Sequence, residues 1–299
     1  MAKIWRRVLS ILLASVMLVS VSGCGKEEEE PSPPPVQEEQ TQPEAVVPPE
    51  EEPQEESELE APVFQEQIKQ AREKNDDIIG WLKIDDLKVD GAVVQAEDNK
   101  RYERQNEWKQ YSWTGSYFAD YECNFTSREE MSKNTVIYGH NVDFDDNKDG
   151  ERFSQLFHFA DPEFARTHPY LYFSIYDEDA PVIDGRPSSE MVWQIFAVFY
   201  TTTDFDYIRI NKDYQNPQSG EITDAQLMNI ITEAQQRSEY IYDVPVTGED
   251  KILTLSTCSY KYGRRKDVRF VVMAKLLDEG TPLKAQAQLT ENINKKTVE

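Results

Sequence analysis

The stretch "KILTLSTCSYKYGRRKDVRFVVMAKLL", Lys251 to Leu277, holds two apolar, β-branched runs separated by a short basic loop. Cys258 closes the first run and Arg269 opens the second. Runs of this kind bounded by turn and charged residues read as strands, and two in succession read as a hairpin. The loop end of that hairpin then carries a thiol and several guanidinium groups. A thiol there stands where a loop site stands, not in the middle of a core run. The chain has three cysteines in 299 residues. By position alone Cys258 is a nucleophile, a small buried hydrophobe, or half of a disulfide with Cys123 in an oxidising compartment.

The same strand signature recurs upstream at "WLKI" (81–84), "VDGAVVQ" (89–95), "GSYFAD" (115–120), "TVIYGH" (135–140), "YLYFSIYD" (170–177) and "MVWQIFAVFYTT" (191–202). With residues 251–258 and 269–277 this makes eight strands, which predicts a mainly β domain built as a barrel or a sandwich. Helical periodicity interrupts the strands in three places. Phe64, Ile68 and Ala71 share one face of a helix that Gly80 is expected to stop. Residues 153–168 and 224–240 read as two more, the second capped by Thr223 or Asp224. The tail after Asp278 is polar and is expected to fray.

The amino terminus has a different character. Lys3, Arg6 and Arg7 precede an apolar run from Val8 to Val21 that is too short for a comfortable membrane span, followed by "VSGC". This is an export signal over residues 1–24. Its end resembles the lipobox of bacterial lipoprotein precursors, which implies a lipid on Cys24; an uncleaved signal anchor is the alternative. Residues 26–60 carry 14 of the 56 acidic residues and 8 of the 16 prolines against one lysine. Such a segment cannot bury a core, and charge repulsion with proline stiffness makes it an extended, disordered linker over 25–62. The remainder divides into one domain over 63–278, long enough for a sizeable core, and the tail 279–299. The whole chain has a formal net charge of −24 and no broad basic face, which argues against nucleic acid as a partner.

Nucleophilic thiol chemistry needs a proton acceptor and a stabiliser for the developing oxyanion. The chain offers three histidines. His158 and His168 lie in or beside the helical segment 153–168, where a half-buried surface histidine is the ordinary expectation. His140 ends the strand "NTVIYGH", between flexible Gly139 and polar Asn141, at a strand end opening into a loop as Cys258 does. Arg269 begins the strand next to the one that delivers Cys258, so hairpin geometry can set its guanidinium beside the sulfur. Arg264 and Arg265 lie in the connecting loop and are expected to be solvated. "DDNKDG", Asp145 to Gly150, matches the opening of an EF-hand loop, but its twelfth position is Leu156 and not the bidentate glutamate, so the expectation is a solvated turn and no metal.

Seven motifs in order, "NDDIIGWLKI", "GSYFADY", "NTVIYGHN", "FSQLFHF", "TTTDFDYIRI", "TLSTCSY" and "RFVVMAK", make residues 64–277 resemble the class B sortases, cysteine transpeptidases of Gram-positive cell surfaces. The resemblance implies a closed eight-stranded barrel with an amino-terminal helix and a further helix between the sixth and seventh strands. It implies His140, Cys258 and Arg269 as the catalytic set, with no cofactor. It also implies Thr203, Tyr207, Ile208 and Ser256 as residues that grip the substrate peptide. Partners implied are surface proteins bearing a sorting signal, cleaved after threonine through a thioacyl enzyme, and a peptidoglycan amine that receives them. A lipid anchor would hold the enzyme at the outer face of the cytoplasmic membrane. The chain departs from the family where a Tyr-Leu pair usually stands beside the groove: here it is Tyr102 and Glu103, which bears on Asn99 as a binding residue too. Departing also is the anchor, a lipid where the family usually keeps a membrane span. A papain-like thiol hydrolase would carry a Cys-Gly-Ser-Cys-type signature near the mature amino terminus, which the sequence lacks. A non-catalytic lipoprotein that binds wall peptides would be indifferent to loss of Cys258.

Overall fold

The computed structural model describes residues 59–142, 145–213 and 216–298. The residues expected to form an export signal, Cys24 and most of the expected acidic linker fall outside them. Among the described residues no helix is long and apolar enough to cross a membrane.

Eight strands close into a barrel: β1 (Ile78–Lys83), β2 (Asp90–Val94), β3 (Tyr117–Ala119), β4 (Asn134–Tyr138), β5 (Tyr170–Ile175), β6 (Val192–Thr202), β7 (Ile252–Cys258) and β8 (Val268–Leu276). Around the barrel they run β1-β2-β3-β4-β7-β8-β6-β5 and return to β1. The strands expected from the sequence are these eight, and pairing of β5 with β1 decides for the barrel over the sandwich. Closure leaves no unpaired edge.

Alternation along the strands sorts side chains into two layers. On β5, Leu171, Phe173 and Ile175 belong to the main core with Trp193, Phe199 and Phe270. Tyr170 and Tyr172, pointing the other way, join Phe64, Ile68 and Ala71 of the amino-terminal segment in a second cluster. This is why β5 is buried along its whole length and reads as a continuous apolar run. Helix α1 (Gln65–Arg72) covers that outer layer with its Ile68 and Ala71 face. Its first turn has no local side-chain cap; instead the buried carboxylate of Glu190 accepts the Phe64 and Gln65 N–H groups at 2.6 and 2.8 Å, satisfying donors that a helix start leaves open.

Three expectations change. Gly80 is not a helix stop but lies inside β1, which begins at Ile78. A Cβ there would meet the Ser174 carbonyl oxygen of β5 at 2.3 Å, so glycine permits the seam where the barrel closes. The segment 153–168 is not one helix but a 3-10 helix (Phe153–Ala160) followed by α2 (Pro162–Thr167). Asp161 divides them: its extended backbone ends the first, and its carboxylate caps the second ahead of Pro162. The tail does not fray, because Leu289–Glu291 pairs with Tyr240–Tyr242 and Leu283 and Ala287 are buried. Helix α3 (Asp224–Arg237) stands between β6 and β7 as expected, with a Thr223–Gln226 capping box.

One topological feature positions everything that follows. β4 and β7 are neighbours and parallel, with Thr254 opposite Val136 and Ser256 opposite Tyr138. Two parallel strands end on the same rim. β8 starts there and β6 ends there, since both pairings that β8 makes are antiparallel.

Candidate active site

Strand register brings Cys258, His140 and Arg269 to one level of the rim. In the β7–β8 hairpin Cys258 stands directly opposite Arg269, and cross-strand partners project on the same side of a sheet. His140 lies two residues past Tyr138, as Cys258 lies two residues past Ser256, so the parallel register carries both to the same level. Two bonds continue the register past the ladder: Gly139 N–H donates to Ser256 O at 3.3 Å, and Asn141 Nδ2 donates to Cys258 O at 3.1 Å. Cys258 is half-buried with a free thiol, whereas Cys123 is buried and also free, which removes the disulfide. Burial pushes the Cys123 thiol far up, and its sulfur accepts the Val136 N–H at 3.4 Å.

The His140 ring is oriented by a backbone group. Its Nε2 lies 2.8 Å from the Glu103 carbonyl oxygen. A carbonyl can only accept, so the proton sits on Nε2 and Nδ1 is left as the nitrogen that exchanges one. Gly139 precedes it for a reason of space and not of flexibility: a Cβ there would sit 2.7 Å from the Phe153 ring. Arg269 Nη1 donates to Lys266 O and Val268 O at 2.8 and 3.0 Å, which lays the guanidinium along the rim. Arg265 pairs with Asp267 at 2.7 Å, and Arg264 is exposed; neither lines the cavity.

All three side chains open onto one cavity of about 480 Å³. Phe118, Tyr138, Phe205 and Ile208 give it apolar walls, and Thr203, Tyr207 and Ser256 also line it. It is an open groove with largely apolar walls, edged by Asn99, Glu103 and Asp206, with a thiol, an imidazole and a guanidinium on its lining. Among the described residues no group of three or more His, Cys, Asp or Glu side chains could hold a metal ion.

A family model described as the sortase domain matches residues 82–277. Sortase B of Listeria monocytogenes is 32% identical over 212 residues, covering 71% of this chain and 74% of that protein. The chain belongs to the class B sortases. Sortase B of Staphylococcus aureus is 28% identical over 203 residues, covering 68% and 71%. Among solved structures, an S. aureus sortase B–substrate complex superposes with a TM-score of 0.56 at 26% identity, covering 72% of this chain and 87% of that one. A Bacillus anthracis sortase B complexed with AAEK1 gives 0.54 at 29% identity, covering 74% and 89%. The protein is accordingly a sortase, a cysteine transpeptidase.

The sortase groove holds each residue expected to grip a peptide, in different ways. Thr203 is exposed, and its N–H donates to Asp267 O at 2.9 Å. Ile208 is half-buried in the wall. Tyr207 and Ser256 form the floor, at 3% and 2% exposure, with their hydroxyls 2.7 Å apart. Burial, countered by the Ser256 hydroxyl and the Arg269 charge, pushes the Tyr207 phenol up to about 12, so it stays protonated at working pH. Tyr207 also packs edge-on to Phe199, so it belongs to the core and to the groove at once. Asn99 lines the groove with its amide tied to Asp120 Oδ2 at 2.7 Å, while Tyr102 is buried under α1 and absent from it. His158 and His168 lie outside the cavity, the latter stacked on Phe164 with ring centres 3.8 Å apart.

Two participants escaped the sequence reading. The Glu103 carbonyl is a backbone atom that no side-chain pattern announces. Asp146, in the segment expected to be a solvated turn, points its carboxylate inward to Asn141, Ser259 and Tyr260 at 2.6 to 2.8 Å. Three aspartates crowd that stretch, and nothing local distinguishes the one that turns in.

Proposed function

We propose that this sortase cleaves a carboxy-terminal sorting signal after its threonine and joins the threonine carbonyl to a peptidoglycan amine. The Cys258 thiol passes its proton to Nδ1 of His140, and the sulfur attacks the threonine carbonyl carbon, forming the S–C bond as the C=O π pair moves onto oxygen to give a tetrahedral oxyanion. In this reading Arg269 and a backbone N–H stabilise that charge. As the C–N bond breaks, His140 gives its Nδ1 proton to the leaving amine. The thioacyl enzyme then meets the acceptor amine. Nitrogen attacks, the C–S bond breaks, and the proton passes through neutral His140 back toward the thiolate. One amide replaces another, so no external energy source is required.

The observation that carries this reading is the register Cys258 opposite Arg269 at the head of an apolar groove, with His140 delivered beside them by the parallel strand. A groove walled by Phe118, Phe205 and Ile208 suits an extended peptide better than a polar metabolite. A lipid on Cys24 and a position outside the cytoplasmic membrane of a Gram-positive bacterium belong to the same reading, supported by the "VSGC" sequence. The test is incubation of the purified protein with sorting-type peptides and an amine, read by mass spectrometry. A peptide–amine product supports transpeptidation; exclusive release of the free acid would make the protein a hydrolase instead.

A further inference from the structure

We propose that Asp146 is a positioning residue of this sortase, a carboxylate strut that holds the His140 segment and the Cys258 segment at their working separation. This rests on the catalytic roles given to those two residues above.

The sheet does not hold them by itself. The β4–β7 ladder ends at Ser256 and Tyr138, and the Gly139 N–H to Ser256 O contact is the last backbone bond between the two strands. His140 and Cys258 both lie beyond it. What joins the segments there is a side-chain bridge. Asp146 Oδ1 accepts from the Tyr260 N–H at 2.7 Å and from Asn141 Nδ2 at 2.8 Å, and Oδ2 accepts from the Ser259 hydroxyl at 2.6 Å. Asn141 Nδ2 donates also to the Cys258 carbonyl at 3.1 Å. The amide oxygen of Asn141 accepts from Ser154 Oγ at 3.1 Å, which fixes the amide's orientation. One carboxylate therefore gathers the residue after the histidine and the two residues after the cysteine.

Asp146 occupies this place with φ of 57°, in the left-handed region that is sterically unfavourable for a residue with a side chain. Proton transfer falls off steeply once donor and acceptor leave hydrogen-bond reach, and a misplacement of about 1 Å can cost about 10²-fold. Loss of the strut should act on the chemical step and not on peptide binding, because Asp146 does not line the groove.

Geometry and charge are separable here. In Asp146→Asn the amide oxygen still accepts from Tyr260 and Asn141, while its NH2 donates to Ser259 Oγ, which turns from donor to acceptor. In the steady-state assay Asp146→Ala should lower kcat about 10²-fold with KM changed less than threefold, and Asp146→Asn should recover to within about tenfold of wild type. Combining Asn141→Ala with Asp146→Ala should cost little more than either alone, since both break one bridge. Asp145→Ala, whose side chain is exposed in the same loop, is the control and should match wild type. The second readout needs no substrate: alkylation of Cys258 by iodoacetamide near pH 7 should slow about tenfold in Asp146→Ala, because the displaced His140 imidazole no longer stands where it can take the thiol's proton. If Asp146→Ala fails to fold by circular dichroism, Asn141→Ala and Ser259→Ala carry the test. An Asp146→Ala enzyme with kcat within threefold of wild type, or an asparagine variant as impaired as alanine, overturns the proposal. A wild-type protein that transfers no peptide would sink the proposed function alone, and the alkylation rates would then decide on Asp146.

Discussion

Cys258 and Cys123 are the same residue type in opposite surroundings, and the contrast is measurable. One is half-buried at the rim beside a guanidinium; the other is sealed, its thiol pushed up by burial. Only a thiolate reacts, so a methanethiosulfonate should modify Cys258 in the folded protein and leave Cys123 untouched, and peptide mapping should place the label on Cys258. Cys258→Ala should abolish transfer while the melting curve stays close to wild type, since a small residue replaces a small one; retained transfer would remove the nucleophile. Arg269 separates likewise from its neighbours. A charge that stabilises an oxyanion acts in the transition state, so Arg269→Ala should lower kcat and kcat/KM together by about 10²-fold or more. Arg269→Lys should remain severely impaired, because an ammonium cannot reproduce the planar fork. Arg264→Ala, in the exposed loop, should change activity only a few-fold, an effect that added salt erases. Fluorogenic peptide cleavage at two salt concentrations distinguishes the three.

At the scale of elements, what matters is how a strand end is held. Gly139 passes against Phe153, a fully buried ring, and the Phe153 N–H donates to the His140 carbonyl at 3.0 Å. Gly139→Ala forces a methyl group into that ring, at a cost of about 1–3 kcal/mol, and should displace His140 with it. The expected outcome is a lowered denaturation midpoint together with a kcat loss of tenfold or more. Thr223→Ala offers the comparison. It removes one half of the α3 capping box, worth about 1 kcal/mol, on an element whose start does not reach the groove. Stability should fall by a similar amount to the glycine variant with kcat unchanged. Equal kcat losses in both would mean that activity simply follows global stability.

The described residues fold as a barrel with the candidate site on one rim and the carboxy-terminal tail docked toward the other. Leu283 joins the layer beneath α1, and the Lys284 N–H donates to the Tyr170 hydroxyl at 2.8 Å, at the start of β5. Tyr170 pairs with Gln194 near the start of β6, away from the end of β6 at the active rim. Removal of residues 279–299 should therefore cost about 2–3 kcal/mol of buried apolar surface, lowering Tm by about 5–10 °C while the rate of Cys258 labelling at 25 °C is kept. The other end of the chain makes its own prediction. If Cys24 carries a lipid, globomycin should cause a longer precursor to accumulate, and Cys24→Ala should release the protein from membranes with peptide transfer intact. Unchanged migration with the inhibitor would favour the uncleaved anchor.

The sequence by itself determined the eight strands, the capped α3 and the identity of the thiol, imidazole and guanidinium at strand ends. Those are local facts: an apolar, β-branched run, a Thr or Asp ahead of a helical pattern, and a reactive residue where an apolar run stops each leave their mark within a few neighbours. Closure of β5 on β1 and the parallel contact of β4 with β7 were decided only in the tertiary structure, because pairing between distant segments has no signature in either segment alone. The same holds for Glu190 capping a helix 126 residues away and for the tail strand that finds Tyr240–Tyr242. It holds most of all for Asp146, one aspartate in an acidic loop whose partners lie 113 and 114 residues further on. Its side chain turns inward because the ends of two parallel strands leave N–H and O–H donors beside it, and a buried donor demands an acceptor wherever the fold can supply one.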